Sequence, residues 1–340
     1  MKTLCICGGG SLGHVISGFI SAKTDLKVNV LTNKPNLWGR KIDVNTPDGL
    51  VLHGCLNKVS SNPADVIPMS DIVLLCVPGF MIKEELLKIE PYLNKNIYVG
   101  SVFSSTGFFF EAKSFLSKDI PLWGFQRVPF ISRVKEYGKS AYLLGYKDSY
   151  NIAVENVSDK EKETFRSFVE TVFERPTHLL SNYLEASLTN SNPILHTSRL
   201  YSMFGDWNPK IRYPRNILFY EEWTEYSSEV LIKMDEEFFS LLGKLPVSHG
   251  YLPSILDYYE SHDSKTLANK LSSIKGFKGI YSPMKEIEGG WIPDFESRYF
   301  TEDFLFGLKY IWQLAQEHDV NTPTIDAVYN WGVDMIRSNS

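Results

Sequence analysis

What most constrains this 340-residue chain is how it begins. A short apolar run, Leu4-Cys5-Ile6-Cys7, leads into Gly8-Gly9-Gly10-Ser11-Leu12-Gly13. A helical pattern follows, with Leu12, Val15, Ile16, Phe19 and Ile20 on one face. The glycines match G-x-G-x-x-G in the strand–turn–helix setting that gives the pattern its meaning. Gly8 is expected to make the tight turn, Gly10 to let the backbone approach a pyrophosphate, and Gly13 to bring the helix close to the strand. At Ser11 and Leu12 the unpaired amides and positive dipole end of the helix are expected to hold the phosphate charge. The reading is a dinucleotide-binding turn.

The next strand, Lys27 to Thr32, ends in Thr32-Asn33-Lys34. An acid about 20 residues past the glycines usually holds the ribose 2′-hydroxyl of NAD. Here no acid appears until Asp43, while Arg40 and Lys41 stand just beyond. A hydroxyl, an amide and cations suit a 2′-phosphate, so NADP is favoured over NAD; the same cations also fit a solvated loop. Asp71 to Val77 reads as a continuous buried parallel strand, and Val77-Pro78 at its end is expected to lie along the cofactor. Phe108-Phe109-Phe110 reads as core. Further strands are expected at Leu50 to Lys58 (an antiparallel excursion), Asn96 to Val102 and Leu122 to Phe125, with Ala141 to Gly145 and Tyr150 to Asn156 finishing the same sheet. An amphipathic helix is expected from Lys160 to Glu174. Alternating strands and helices make a Rossmann-type, doubly wound α/β sheet domain.

Beyond Thr177 strands become scarce. Helical stretches are expected at 183–190, 193–203, 219–242, 252–259, 263–271 and 302–318, then from Thr324. The expected organisation is residues 1–177 for cofactor and 178–340 as a mostly α-helical, substrate-binding domain. A hydrophobic share of 43% and a net charge of −5 without a basic stripe point to a soluble globular protein, away from nucleic acid. No apolar run is long enough to span a membrane, and no signal peptide is expected, since the opening apolar run is only strand-long. Cys5, Cys7, Cys55 and Cys76 all fall in strand-like runs and suggest a reduced, cytoplasmic protein. Alternation on a buried strand explains Cys5 and Cys7 better than a metal does, and no metal site is expected. The sequence leaves a homo-oligomer open.

In the second half two stretches carry candidate chemistry. Asn192-Pro193-Ile194-Leu195-His196 fits a helix restart, with Asn192 as N-cap and His196 one turn in. Arg298-Tyr299-Phe300-Thr301-Glu302-Asp303 fits a helix start at Thr301, its acids favoured by the dipole. On spacing alone both stay structural as readily as functional.

Together with the glycines, and with Asn321-Thr322-Pro323 further on, these two stretches resemble the octopine/nopaline (opine) dehydrogenase family, and the resemblance spans nearly the whole chain. Such enzymes join an α-keto acid to the amino group of an amino acid and reduce the imine with NAD(P)H. The resemblance implies that His196 is the general acid/base, a task that suits a histidine. Asp303 would fix its tautomer, Arg298 would clamp a substrate carboxylate, and Asn192 would face the nicotinamide or the reacting oxygen, with catalysis in an interdomain cleft. Gln126 and Arg127, at a strand exit, are further candidates for a carboxylate contact; Arg127 equally fits an inter-domain ion pair. Two rivals remain: a ketopantoate-reductase-like 2-keto acid reductase, and a non-catalytic NADP-binding sensor. Residues 183 to 199 contain no lysine, which counts against the first.

Overall fold

The structure is a computed structural model that describes residues 2 to 339; Met1 and Ser340, the ends of the two expected domains, lie outside the described residues. The chain forms two compact units, Met1–Thr189 and Asn190–Ser340.

The first unit starts with β1 (Thr3–Cys7), buried along its whole length. Its side chains alternate between two cores. Leu4 and Ile6 pack with Val15, Ile16 and Ile20 of α1 (Ser11–Lys23). Cys5 and Cys7 face the opposite core, with Ile82, Leu86 and Ile89 of the later helix α2 (Gly79–Ile89). A strand covered on both faces must be apolar at every position, hence the unbroken opening run.

The remaining strands of this unit are β2 (Lys27–Leu31), β3 (Lys41–Asn45), β4 (Val51–Cys55), β5 (Lys58–Ser60), β6 (Ile72–Leu75), β7 (Tyr98–Ser101), β8 (Leu122–Phe125), β9 (Phe130–Glu136), β10 (Ser140–Tyr146), β11 (Tyr150–Glu155) and β12 (Thr177–Leu179). Helices α3 (Phe108–Phe115), α4 (Asp159–Phe173) and α5 (Tyr183–Ser187) complete it. The main sheet has eight strands in the order β12-β11-β8-β7-β6-β1-β2-β5. It is parallel from β5 through β8, where β11 joins antiparallel and carries β12 with it. This is the expected Rossmann-type architecture.

One part differs. The 141–145 stretch does not finish the main sheet: β10 belongs to a separate four-stranded sheet, β4-β3-β10-β9. The sequence reading assigned no strand to β3 or β9. These strands bury only alternate residues, as the pattern along β10 shows, so they lack the continuous apolar run of a central parallel strand. The small sheet packs on α1, which is why His14, Ser17 and Gly18 are buried along with the apolar face.

Residues 178 to 189 pack with the first unit, because β12 pairs with β11 and α5 follows directly; the sequence expectation divided the chain at 177/178. Phe108 and Phe109 are fully buried, as core.

The second unit is mostly helical: α6 (Asn192–Phe204), α7 (Glu225–Leu242), α8 (Ile255–Tyr258), α9 (Ser264–Ser273), α10 (Arg298–Thr301), α11 (Lys309–Glu317) and α12 (Pro323–Asn339). Between α9 and α10 lies a hairpin, β13 (Met284–Ile287) with β14 (Gly290–Pro293). Several expected helices are shorter than their periodicity suggested: the 183–190 stretch gives only α5 and the 252–259 stretch only α8. Residues 219–224 are a turn leading into α7, whose N-cap Thr224 accepts from the Ser227 N–H. The 302–318 stretch is interrupted by a π-helical segment, Phe304–Leu308, with Phe306 at φ −127°, ψ 15°. Its Gly307 lies against Pro193 of α6, and Gly332 of α12 lies against the Phe304 ring. No helix among the described residues is long and apolar enough to cross a membrane.

Candidate active site

In the first unit the glycine turn shapes a cleft of about 220 Å³. Gly8 sits at φ +125°, and a Cβ there would lie 2.5 Å from the Cys76 carbonyl oxygen. A Cβ on Gly13 would collide with the Gly8 carbonyl, whereas one on Gly10 would meet nothing within 4 Å. The backbone is thus open at the position expected to face a phosphate. Helix α1 begins at N-cap Gly10 with no side-chain cap and no acid in its first turn, so its first amides stay unpaired. This donor set fits a dinucleotide pyrophosphate.

Gly8, Gly10, Thr32, Asn33, Lys34, Val77 and Pro78 all line the cleft, as do Glu85, Lys88 and Tyr137, which the sequence reading missed. Leu12 packs on the core, leaving its backbone for a ligand. The Ser11 hydroxyl accepts from the Val134 N–H at 3.3 Å. Lys88 donates to Asn33 Oδ1 at 3.3 Å and Lys34 lies over the Tyr137 ring. Arg40 is turned away: its guanidinium donates to the Leu56 and Asn57 carbonyls. The rim is therefore Lys34 and Lys88, one from each side of the cleft.

A buried histidine supports this cleft. His14 Nε2 accepts the Gly138 N–H at 2.7 Å, which places the ring proton on Nδ1, 2.8 Å from the Gly10 carbonyl. Burial lowers its pKa, opposed by the bond to Gly10. The ring pins the β9–β10 turn, and with it Tyr137, to the glycine loop.

In the second unit the N-cap of α6 is Ser191, not the expected Asn192, which is instead the first helical residue and exposed. The first turn leads the helix inward, and His196 is buried. Its Nδ1 lies 2.8 Å from Asp303 Oδ2, across 107 residues of sequence. Asp303 is the last residue before the π-helical segment, the kind of irregularity that often marks a functional position. An ionised carboxylate only accepts, so the proton sits on Nδ1. Nε2 then faces the Tyr220 hydroxyl at 2.9 Å. Tyr299 and Phe219 pack around the imidazole, with ring centroids at 4.8 and 5.6 Å. Such an apolar collar strengthens every electrostatic interaction inside it.

Tyr220 is carried by the turn before α7, and Arg199 holds that turn. Three residues past His196 and almost fully buried, Arg199 donates to the Phe219 carbonyl at 3.0 Å, the Glu222 carbonyl at 2.7 Å and the Ser227 hydroxyl at 2.9 Å. Burial pulls its pKa down to about 10, opposed by the Glu222 charge. Burial also pushes the Tyr220 phenol well above its ordinary value. Sequence reasoning missed both residues. A cation on the buried face of the His196 helix was the available signal for Arg199; Tyr220 was hidden in a stretch read as helix.

Other expected residues are placed apart from this dyad. Arg298 starts α10, with Ser297 rather than Thr301 preceding the helix, and its side chain is 79% exposed with a loose contact to Glu302 at 3.8 Å. In the first unit, Gln126 donates to Thr189 Oγ1 at 2.8 Å and to the Glu185 carbonyl at 3.4 Å, and accepts from Asn151 at 2.9 Å. That spends both amide hydrogens within its own unit. Arg127 is exposed and forms no ion pair among the described residues. No cluster of three metal-ligating side chains occurs among the described residues.

Comparison with known proteins bears on these sites. Residues 179–336 match the family profile described as NAD/NADP octopine/nopaline dehydrogenase, alpha-helical domain. Tauropine dehydrogenase of Arabella iricolor is 27% identical over 99% of this chain and 92% of its own length. The solved octopine dehydrogenase with NADH and L-arginine superposes with a TM-score of 0.84 at 23% identity, covering 99% of this chain and 90% of that one. Yersinopine dehydrogenase with NADP+ bound gives a TM-score of 0.73 at 14% identity, covering 99% of this chain and 91% of that one. At such identities the structures speak for the fold. The matched helical domain and the relatives aligned over nearly the full length agree: the chain is similar to the octopine/nopaline (opine) dehydrogenases, in its helical domain by the family profile and along nearly its whole length by its relatives.

Proposed function

We propose that the chain is an NAD(P)H-dependent oxidoreductase of opine dehydrogenase type, which condenses an α-keto acid with the amino group of an amino acid and reduces the imine. The observation that carries this reading is the buried His196–Asp303 hydrogen bond, made between residues far apart in sequence within a chain similar to these dehydrogenases. A histidine whose tautomer is fixed by a carboxylate is a base–orienter pair.

His196 is the acid/base. It supplies a proton as the keto oxygen becomes a hydroxyl and later leaves as water. Asp303 holds Nδ1–H and stabilises the imidazolium in the apolar collar. Asn192, four residues before His196 and so on the same helical face, is assigned to the reacting oxygen. Arg298, with its guanidinium exposed and only loosely engaged by Glu302, is assigned to a substrate carboxylate. Gln126 is read as a positioning residue, since its amide is already committed. Arg127 is left as a candidate for a carboxylate contact.

The unpaired amides of α1, with Gly8, Gly10 and Gly13, would hold the pyrophosphate of a nicotinamide dinucleotide. That group would supply the hydride. For its ribose we favour a 2′-phosphate, hence NADP, held by Lys34 and Lys88 with Thr32 and Asn33 rather than by Arg40.

The test is oxidation of NADPH and of NADH, followed by absorbance, with a panel of α-keto acids, each with and without amino acids. Turnover that requires both partners is the expected result. Turnover with a keto acid alone would move the chain to the ketopantoate-type reaction, and cofactor binding without any turnover would leave a sensor.

A further inference from the structure

Both ring nitrogens of His196 are already engaged: Nδ1 by Asp303 at 2.8 Å and Nε2 by Tyr220 Oη at 2.9 Å. An imidazole nitrogen has one in-plane position for a proton or lone pair, so while Tyr220 stays in place no substrate atom can reach His196 directly. The tyrosine is built in firmly. Its ring stacks on Phe277 with centroids 4.1 Å apart and lies nearly parallel to Trp223, and Arg199 anchors the backbone on either side through Phe219 and Glu222.

The geometry points to Tyr220 as a catalytic residue, the hydroxyl through which His196 exchanges its proton with the substrate. This inference rests on the reading of His196 as the acid/base. In each charge state the pair presents what that state needs. With His196 neutral, Tyr220 donates to Nε2 and its oxygen is free to accept a proton. With His196 protonated, Nε2–H donates to Tyr220 Oη and the phenol O–H points outward as donor. The step balances: as the amine nitrogen bonds to the keto carbon, the C=O π pair moves to oxygen. That oxygen takes the phenol proton, and Tyr220 takes the Nε2 proton. The imidazolium ends neutral and the phenol ends as a phenol. Burial raises the phenol pKa, which suits a shuttle that never becomes a free tyrosinate.

The experiment compares Tyr220→Phe, His196→Ala and the double variant for kcat with the keto acid and amine that the wild type turns over, and for NAD(P)H binding by fluorescence. Tyr220→Phe keeps the ring stacked on Phe277. The expected result is a loss of about 100-fold or more in kcat for each single variant, no further loss in the double, and unchanged cofactor binding. Non-additivity of that kind marks two residues acting as one unit. A Tyr220→Phe enzyme as fast as wild type, or faster, would make the tyrosine a mere cap. Losses that multiply in the double would make it independent of His196, and either result overturns the relay. Should Tyr220→Phe fold poorly, a proton inventory on the wild type decides: a bowed dependence on deuterium content supports two protons in flight, and a straight line overturns it. A wild type inert to every pair removes the acid/base reading and the relay with it, whereas an active wild type with a normal Tyr220→Phe variant removes the relay alone.

Discussion

The two units build their sites from opposite materials. The first uses backbone: four glycines and a helix start within six consecutive residues, which keep side chains out of the way. The second uses side chains alone, and His196, Tyr220 and Asp303 come from a helix, a turn and the edge of a π-helical segment. A backbone site needs only local geometry, so it survives any distant change that leaves the strand–turn–helix intact. A side-chain site depends on every contact that holds its carriers, and Arg199 shows how much of that support lies outside the reacting groups.

The sharpest way to break this contrast is His196→Ala. It should lower kcat by about 10²–10⁴-fold while leaving NADPH binding within about twofold, measured by steady-state kinetics and fluorescence titration; a joint loss of both would deny that the two sites are separable. Next comes Arg199→Met, which leaves the Phe219 and Glu222 carbonyls without their donor. We expect about 1–3 kcal/mol less stability by denaturant titration, together with reduced kcat because the Tyr220 turn is released. A variant as stable and active as wild type would show that the turn holds itself. For the backbone site, Gly10→Ala meets no neighbour in the free protein, so the melting temperature should stay put while NADPH affinity falls about tenfold, about 1.4 kcal/mol. If affinity also stays put, the phosphate lies elsewhere.

His14 adds a pH dependence confined to the first unit. Its folded pKa lies below the ordinary 6.5 because of burial, so the unfolded chain binds the proton more readily. Its contribution is fully present above about pH 6.5 and is lost as pH falls towards the lower folded value, by at most about 1.4 kcal/mol per pH unit. Denaturation midpoints of wild type and His14→Gln between pH 5 and 8 check this: the slope should flatten in the variant. The smallest expected effect is at the cleft rim. Lys34→Ala and Lys88→Ala should each weaken NADPH by about three- to tenfold and spare NADH; equal losses for both nucleotides would remove the 2′-phosphate reading.

Where the sequence was legible, the reason was local. The strand–glycine–helix opening, the all-apolar parallel strands and the helical texture after residue 190 each follow from spacing within one turn or one strand. The small sheet was harder to read because its half-exposed strands mix Lys, Asp and Ser with apolar residues. Periodicity extended the helix at 219 back through what is a turn, where Arg199 holds the Phe219 and Glu222 carbonyls, and across the break at Phe304–Leu308, where packing against Pro193 and Trp331 decides the backbone. Resemblance singled out His196 and Asp303, yet nothing in their spacing says that they meet.

The sequence by itself determined the Rossmann-type unit, the helical unit and the strand–glycine–helix turn, since each rests on interactions among residues close in the chain. Only the tertiary structure decided that Asp303 holds Nδ1, that Tyr220 covers Nε2 and that Arg40 faces away from the cleft. Those contacts span up to 107 residues, and hydrogen bonds of that reach are fixed by how helices pack, which no local pattern encodes.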